Sequence, residues 1–259
     1  MEHYEFKILP IDLLNEYTQL FNSLTYQKFD KLHDSELSAN TFSFYTSVSA
    51  VFSSKIEGED IELDSFIKHK KWGANFLPDH TQKIDDLYDA YQFAQNSESN
   101  SANIREAHTL LTAHILQKAY RGKIRTGNMY VTTPDGKIEY VACPPNKVKV
   151  ELDKLYADIA LLLTADLSFK EVLFFASLIH LVFVKIHPFE DGNGRCARLI
   201  EKWFIAQKSG AKAWFIQSER YYYDHHETYY KNIRLLGLEY ELLDYAKALP
   251  FLLMLSESI

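Results

Sequence analysis

Apolar residues recur at steps of three and four along most of the chain, which is the spacing of a helix with one buried face. The strongest case is residues 172–186, VLFFASLIHLVFVKI, where apolar side chains surround the whole helix. Similar patterns predict further helices at 10–33, 42–57, 81–96, 103–120, 147–163, 196–208, 224–236 and 239–255. The chain is therefore predicted to be a mostly α-helical bundle with the 172–186 helix at its centre.

One segment departs from the helical pattern. Residues 129–141, MYVTTPDGKIEYV, contain two β-prone runs around Pro134, Asp135 and Gly136, which predicts a short β-hairpin. Because a lone hairpin is marginally stable in water, we expect it to lie on another surface or to hold a partner.

Composition narrows the class of protein. The 259 residues are 47% hydrophobic and 24% charged, which is typical of a globular protein with a substantial core. The net charge of −7 argues against a nucleic-acid binder, because such proteins neutralise phosphates with clustered lysine and arginine.

Cysteine use and hydropathy bear on the compartment. Cys143 and Cys196 lie far apart without the spacing of a disulfide framework or zinc site, so we expect a reducing, cytoplasmic environment. The start of the chain shows no signal-peptide pattern. The apolar run 172–186 is shorter than the ~20 residues of a spanning helix, so we expect a buried helix and no membrane association.

The chemistry concentrates directly behind this apolar helix, in HPFEDGNGRCAR, residues 187–198. Pro188 disfavours helical backbone at the preceding residue, so the helix should end with His187 at its mouth. The Gly192-Asn193-Gly194 turn can point backbone N–H groups inward just before a new helix. Loop N–H groups together with a helix N-terminus predict an anion cradle.

The remaining polar residues of this stretch suit a nucleotide. Arg195 and Arg198 are three residues apart, so both can reach phosphate oxygens from one helix face. Asp191 can hold Mg²⁺, which bridges phosphates. His187, a residue type that titrates near neutrality, is the candidate general base for a hydroxyl nucleophile.

This stretch resembles the signature of the Fic family, H-P-F-x-[D/E]-G-N-G-R-x-x-R, and matches it at every fixed position. Weaker similarities, including REAHTLL, GKIRTGNMYV, YVACPPNKV and FASLIHLVFVKIHPF, extend over about 105–205. The resemblance implies a helical bundle with the 129–141 hairpin as a flap over the active site. It also implies three parts, namely an N-terminal region 1–104, a core 105–205 and C-terminal helices 206–259, with the loop-like 96–103 near the first boundary.

Fic proteins commonly transfer AMP from ATP to a Ser, Thr or Tyr hydroxyl of a protein, with pyrophosphate as the leaving group. The resemblance implies that His187 deprotonates the hydroxyl, that Asp191 holds Mg²⁺ and that Phe189 anchors the loop in the core. The phosphate ligands would be Asn193 with the amides of Gly192 and Gly194, then Arg195, and Arg198 at the γ-phosphate.

The flap and the N-terminal region gain roles by the same resemblance. The flap edge formed by Met129, Tyr130, Val131 and Thr132 could pair with an extended segment of the target, which is another protein or this chain itself. Whether the chain forms a homo-oligomer stays open.

SSKIEGED, residues 53–60, closes the predicted 42–57 helix, with Gly58 as a helix-terminating glycine. Ser53, Glu57 and Gly58 resemble the inhibitory pattern [S/T]-x-x-x-E-[G/N] of one Fic subclass. The resemblance implies that Glu57 pairs with Arg198 in place of the γ-phosphate, while Ser53 supports the helix near the site.

Tyr229 and Tyr230 are, by analogy, candidates to flank the adenine, although helix packing explains them equally well. Two other readings of the chain stay open. A Fic-type enzyme could remove AMP or transfer another phosphate-containing group, and a non-catalytic regulatory or binding module is the alternative from a different class.

Overall fold

A computed structural model of the chain describes residues 5–39, 42–76, 78–132 and 138–259. The helices in these ranges are α1 (Leu14–Leu20), α2 (Leu24–Asp30), α3 (Phe44–Ile56), α4 (Leu63–Trp72), α5 (Pro78–Gln95), α6 (Ser101–Leu111), α7 (Pro145–Thr164), α8 (Phe169–Ile186), α9 (Asn193–Ser209), α10 (Ser218–Asp224), α11 (His226–Arg234) and α12 (Leu249–Glu257). The strands are β1 (Tyr130–Thr132) and β2 (Ile138–Val141). The predicted mostly helical fold with a short β-hairpin is confirmed, while the turn residues Pro134, Asp135 and Gly136 lie outside the described residues.

Helix α8 lies at the centre of the bundle, as its apolar pattern predicts. It packs against α1, α7, α9 and α12, and every residue of 172–186 except Val184 is buried. The helix begins with a capping box, in which Ser168 and Glu171 satisfy each other's backbone N–H groups. It ends at Ile186, directly before the polar stretch 187–198, so the most rigid part of the core carries that stretch.

Helix α3 brings the N-terminal region to the same place. It packs against α5 and α10 and alongside α9. Its N-terminus is capped by Ser43, whose side chain accepts a hydrogen bond from the Thr46 amide at 3.3 Å. At its other end Gly58 takes a left-handed backbone conformation with φ of 90°, which terminates the helix just after Glu57.

The β-hairpin lies on the end of α8. Its strands are antiparallel, with Tyr130 opposite Val141, and the amide of Val141 also donates to the Leu238 carbonyl at 2.8 Å. Strand β2 is thus covered on its far side and β1 is the outer strand. The Tyr140 hydroxyl donates to the Lys185 carbonyl at 2.8 Å, which fixes the hairpin to α8.

Some helix boundaries differ from those expected. The 10–33 segment is divided into α1 and α2, 103–120 is helical only to Leu111, and 224–236 contains parts of α10 and α11. The 239–255 segment is α-helical only from Leu249, because Pro250 lacks an N–H and fits only in a first turn. Helix α4 was not predicted, since its exposed face carries Lys and His residues that weaken the apolar period.

One hydrophobic core runs through the chain, with buried members from Leu9 to Leu255. The division into 1–104, 105–205 and 206–259 stays a prediction. Cys143 and Cys196 are both buried free thiols. Among the described helices, none has the length and apolar character that crossing a membrane requires.

A buried carboxylate ties the start of the described chain to α7. Asp158 is 1% exposed and accepts hydrogen bonds from the amides of Lys7, Ile8 and Leu9 at 2.8, 2.9 and 3.0 Å. These three donors have no neighbouring strand or helix to satisfy them, so the carboxylate replaces a regular element there.

We predict that Asp158→Ala lowers the free energy of unfolding by about 3 kcal/mol, because it leaves amides without their charged acceptor. Urea denaturation of both proteins measures this difference. Asp153→Ala on the same helix is the matched control, since its exposed pair with Lys149 contributes at most about 1 kcal/mol. Equal losses in the two variants would contradict the role given to Asp158.

Candidate active site

His187 stands at the end of α8 in a left-handed conformation, with φ of 52°. Arg125 holds this helix end through its guanidinium, which donates to the carbonyls of His187 at 2.7 Å, Ile186 at 3.3 Å and Cys143 at 2.5 Å. A cation at this position also complements the negative end of the helix dipole. The unusual backbone of His187 is therefore fixed by several contacts.

The His187 ring is neutral and presents one nitrogen to the cavity beside it. Its Nδ1 lies 3.2 Å from the Val184 carbonyl, an acceptor, so Nδ1 carries the proton and Nε2 has the free lone pair. Burial lowers the pKa of His187 to about 4. Desolvation thus favours the neutral imidazole over the imidazolium at this position.

The loop after His187 is braced by its own side chains. Phe189 is fully buried and stacks on the His108 ring at a centroid distance of 3.7 Å. Asn193 donates to the Phe189 carbonyl and accepts from the Phe189 amide, both at 2.9 Å. The Asn193 side chain therefore closes the loop, and its expected contact with phosphate stays a prediction.

His108 supports the other side of this loop. Its Nδ1 accepts from the Gly122 amide at 2.9 Å, so its Nε2 donates to the Asp191 carbonyl at 2.8 Å. Burial lowers the pKa of His108 to about 4, which keeps this donor and acceptor pattern at neutral pH. Gly192 has φ of 78°, and a Cβ there would lie 2.8 Å from the Thr112 side chain.

A carboxylate occupies the space in front of the first turn of α9. A Cβ added to Gly194 would lie 2.4 Å from Glu57 Oε1, so the glycine is what lets the carboxylate approach the backbone. A helix N-terminus favours negative charge through its dipole and free N–H groups. The Glu57 carboxylate therefore occupies the position where an anionic ligand would be expected.

Arg198 is the main partner of this carboxylate. Its Nη2 lies 2.7 Å from Glu57 Oε1 and donates to the Ser53 carbonyl at 3.0 Å. Its Nε donates to Ser53 Oγ at 2.8 Å, and its Nη1 donates to the Tyr229 hydroxyl at 3.3 Å. The Arg198 side chain is 1% exposed and that of Glu57 28%, so solvent screens the pair from the Glu57 side only.

The pKa shifts agree with this pairing. Burial by itself raises the pKa of Glu57, but Arg198 and Arg195 outweigh it and hold that pKa below its usual value. Burial likewise lowers the pKa of Arg198, and Tyr229 and Glu57 reverse this so that its pKa is raised. Both groups are therefore charged at neutral pH.

Arg195 differs from Arg198 in lacking partners. It is 6% exposed, and its Nε and Nη1 have no hydrogen-bond partner among the described residues. Its Nη2 lies 3.9 Å from Glu59 Oε1, which is too long for a hydrogen bond. Buried donors left unsatisfied cost free energy, and an anionic ligand in the cradle would satisfy them.

The contacts of Glu57 belong to a polar seam between α3 and α9. Its residues are spaced by four on both helices: Ser49, Ser53 and Glu57 on α3 face Lys202, Arg198 and Gly194 on α9. Lys202 Nζ donates to Ser49 Oγ at 2.6 Å and also contacts Glu219 at 2.5 Å. This antiparallel register places the end of α3 over the start of α9.

Asp191 is the candidate magnesium ligand. It is exposed, and its Oδ1 accepts from the Gly192 amide at 2.5 Å, which directs the carboxylate back over the loop. Within the described residues there is no cluster of three or more His, Cys, Asp or Glu side chains suited to a metal. A single carboxylate fits Mg²⁺, because that ion keeps several waters and takes further ligands from phosphates.

One cavity beneath the hairpin is lined by four residues expected to bind nucleotide, namely Gly194, Arg198, Tyr229 and Tyr230. Gly192, Asn193 and Arg195 are not among the residues that line it. Its lining also includes His187, Ile233 and Val131. Tyr229 is 1% exposed, with its hydroxyl 3.0 Å from His180 Nε2, and Tyr230 meets it edge-on. Gly58 and Thr132 line a neighbouring groove, and Tyr130 is half-exposed on β1.

Three supporting residues were not recognised from the sequence as part of the site. Arg125 and His108 contact backbone carbonyls. Their residue types do not indicate which carbonyls they contact. His180 contacts Glu201 Oε2 at 2.8 Å and thereby orients Tyr229. A histidine and a glutamate within long apolar helices are a detectable anomaly, because buried polar groups require partners.

Comparison with known proteins agrees with this geometry. Residues 98–205 match the Fic/DOC family model. No curated protein sequence matches the chain. A Fic family protein from Desulfovibrio desulfuricans G20 has a similar structure, with a TM-score of 0.71, 19% identity, and coverage of 98% of this chain and 73% of that one.

Two further structures have the same fold. A Fic domain containing signaling protein from Bacteroides thetaiotaomicron VPI-5482 has a TM-score of 0.65 at 17% identity, covering 95% of this chain and 90% of that one. Fic-1 from C. elegans has a TM-score of 0.65 at 18% identity, covering 95% and 68%. Residues 98–205 therefore match a Fic/DOC family domain, and nearly the whole chain has the fold of Fic proteins of known structure.

Proposed function

We propose that the protein is an adenylyltransferase that transfers AMP from ATP to a Ser, Thr or Tyr hydroxyl of a protein, and that Glu57 inhibits it. The observation that carries this proposal is the Glu57 carboxylate itself. It is hydrogen-bonded to Arg198 and lies in front of Gly194. The neighbouring Arg195 has two nitrogens, Nε and Nη1, without a hydrogen-bond partner among the described residues. A site that accommodates one anion in this way has the chemistry to bind a phosphate.

In the proposed reaction His187 Nε2 accepts the proton of the target hydroxyl. The hydroxyl oxygen forms a bond to the α-phosphorus of ATP, and the bond from that phosphorus to the bridging oxygen breaks to release pyrophosphate. Arg195 and Arg198 stabilise the charge on the phosphate oxygens. Because its proton is on Nδ1, His187 needs no change of tautomer to act as the base.

Asp191 would hold Mg²⁺ from the exposed side of the loop. When bound, the ion would neutralise charge on the pyrophosphate that leaves. The Gly192 amide positions the Asp191 carboxylate by donating a hydrogen bond to it. His108 positions the loop backbone by donating to the Asp191 carbonyl.

The outer strand β1 would hold the target. Because β2 is covered by Leu238 on its far side, the edge of the hairpin that has no strand partner among the described residues is that of Met129, Tyr130, Val131 and Thr132. An extended segment paired there by backbone hydrogen bonds would lie over the cavity that Val131 and His187 line. Pairing of this kind selects for extended backbone more than for sequence.

Inhibition would arise from competition for Arg198. A charge-assisted hydrogen bond contributes about 1.5–3 kcal/mol, and partial exposure of Glu57 places this pair toward the lower end. Since each 1.4 kcal/mol corresponds to about tenfold in an equilibrium constant, the carboxylate would weaken productive ATP binding by about tenfold or more.

We predict that Glu57→Gly raises AMP transfer by about tenfold or more, because Arg198 and the cradle become free for phosphate. The measurement is incorporation of labelled AMP into protein in the presence of Mg²⁺. Glu62→Gly is the matched control, since Glu62 is 77% exposed and pairs only peripherally with Lys55. Equal labelling by both variants would refute inhibition by Glu57, and AMP release that requires Glu57 would favour an AMP-removing enzyme instead.

We predict that His187→Ala in the Glu57→Gly background lowers AMP transfer by about 100-fold or more, because the hydroxyl loses its base. Nucleotide binding, followed by calorimetry, should be retained, which separates a lost base from a lost fold. His33→Ala, at an exposed loop position, is the control. Undiminished labelling without His187 would exclude it as the base.

We predict that Asp191→Ala in the same background raises the Mg²⁺ concentration needed for half-maximal transfer by about tenfold or more. A Mg²⁺ titration of labelling at fixed ATP measures this shift. Glu190→Ala removes the adjacent carboxylate and should leave the titration unchanged. A shift for Glu190→Ala and none for Asp191→Ala would show that the neighbouring carboxylate holds the metal instead.

A further inference from the structure

Lys185 is a buried cation in the last turn of α8 that faces the cavity beneath the hairpin. The residue is 1% exposed and lines the cavity together with Val184 and His187. Its Nζ lies 4.1 Å from the centre of the Tyr140 ring. Among the described residues, no carboxylate, carbonyl or hydroxyl accepts a hydrogen bond from this ammonium.

Two other buried cations near the site have acceptors. Lys202 Nζ has Ser49, Glu219 and the Ile216 carbonyl as acceptors. Arg198 has acceptors for all of its nitrogens. Lys185 resembles Arg195 instead, whose Nε and Nη1 also have no hydrogen-bond partner among the described residues.

An ammonium buried in this way is costly. Removing it partly from water without a hydrogen-bond acceptor is unfavourable, and a cation–π contact offsets only part of the loss. Burial lowers the pKa of Lys185 to about 8, so most of the side chains still carry a proton at neutral pH. Because Lys185 lines a cavity, a bound ligand could supply the hydrogen-bond acceptor that its ammonium lacks.

The position of Lys185 indicates which part of a nucleotide it would meet. Gly194 and Arg198 on α9 are the members of the proposed phosphate cradle that line the cavity. Lys185 contacts Tyr140 of β2, and the lining of the same cavity includes the flat or apolar side chains of Val131, Tyr230 and Ile233. A slot of this composition suits a planar heterocycle, whose ring nitrogens and carbonyl oxygens are hydrogen-bond acceptors.

We propose that Lys185 binds an acceptor atom on the base of the nucleotide and so determines which base edges the cavity accepts. The proposal rests on the nucleotide-binding site described under the proposed function. An ammonium has three donors and no acceptor, so it favours an edge with a ring nitrogen or a carbonyl oxygen over one that presents only N–H groups. Lys185 is thereby a specificity-determining residue and not part of the phosphate cradle.

The other charged groups around the cavity are paired or do not change protonation state near pH 8. Glu139 of β2 and Arg234 of α11 form an ion pair at 2.5 Å. Glu57 of α3 is paired with Arg198 of α9. The pKa of His187 is lowered to about 4.

The tyrosines around Lys185 also stay in one protonation state near neutrality. Burial raises the pKa of Tyr229 to about 12, and it raises the pKa of Tyr140 and Tyr230 as well. Between pH 7 and 9.5, Lys185 is therefore the group lining the cavity whose titration should dominate.

The test compares Glu57→Gly with Glu57→Gly/Lys185→Met, using calorimetric binding of adenosine and of ATP with Mg²⁺. Methionine has a similar length and no donor, so the cavity keeps its shape. We expect affinity for both probes to fall by about tenfold, equivalent to about 1.4 kcal/mol. Lys118→Met, at an exposed position, is the control and should leave both affinities unchanged.

Two further measurements separate a binding role from a structural one. The thermal midpoint of the unliganded Lys185→Met protein should rise or stay constant, because the variant no longer buries a charge. With Lys185 present, adenosine affinity should fall as the pH rises through about 8, because the protonated form binds. In Lys185→Met, which has no titrating group at this position, the affinity should stay constant between pH 7 and 9.5.

The outcomes distinguish this inference from the proposed function. Equal affinities for adenosine with and without Lys185 would overturn the inference while leaving ATP binding intact. A loss seen with ATP but not with adenosine would place Lys185 at the phosphates and also overturn it. Failure of Glu57→Gly itself to bind either probe would refute the nucleotide site and this inference together.

Discussion

The buried guanidinium of Arg198 is the interaction on which the rest of the site depends. It joins α3 through Ser53 and Glu57 and joins α11 through Tyr229, whose hydroxyl in turn contacts His180 in α8. An anionic partner stabilises a charge enclosed by these elements, because burying it without one costs free energy. The site is therefore most stable with either the glutamate or an anionic ligand at this point.

Around that charge, most of the site is fixed before any ligand arrives. Arg125 holds the backbone of His187, and Asn193 closes the loop that follows it. Both contacts run from a buried side chain to backbone atoms of the loop, so the groups that hold the loop have little freedom to move. Preorganisation of this kind reduces the free energy spent on ordering groups during a reaction.

The sequence predicts well what is local and periodic. The apolar period of α8 and the HPFEDGNGRCAR stretch predicted the central helix and the turn after it, and the β-prone runs predicted the hairpin. The division of 10–33 into two helices was missed because its apolar spacing continues across the break. Pairing Glu57 with Arg198, 141 residues apart, came from family resemblance and not from any local pattern.

Contacts to backbone carbonyls could not be predicted at all. The carbonyls of His187 and Asp191, which Arg125 and His108 contact, lie 62 and 83 residues away from them along the chain. Residue type gives no information about which carbonyl a side chain will reach. The role proposed for Lys185 could not be predicted for a related reason. A single lysine in an apolar helix has no evident function until the residues around it are known.

The polar seam between α3 and α9 bears on how quickly the proposed inhibition could respond. Its contacts at Ser49 and Ser53 do not involve Glu57, and the glutamate lies at the C-terminal end of α3, directly before Gly58. Helix ends open and close in well under a millisecond, far faster than whole domains rearrange. Nucleotide and carboxylate would then exchange in rapid equilibrium, so that the active fraction would follow ATP concentration by mass action.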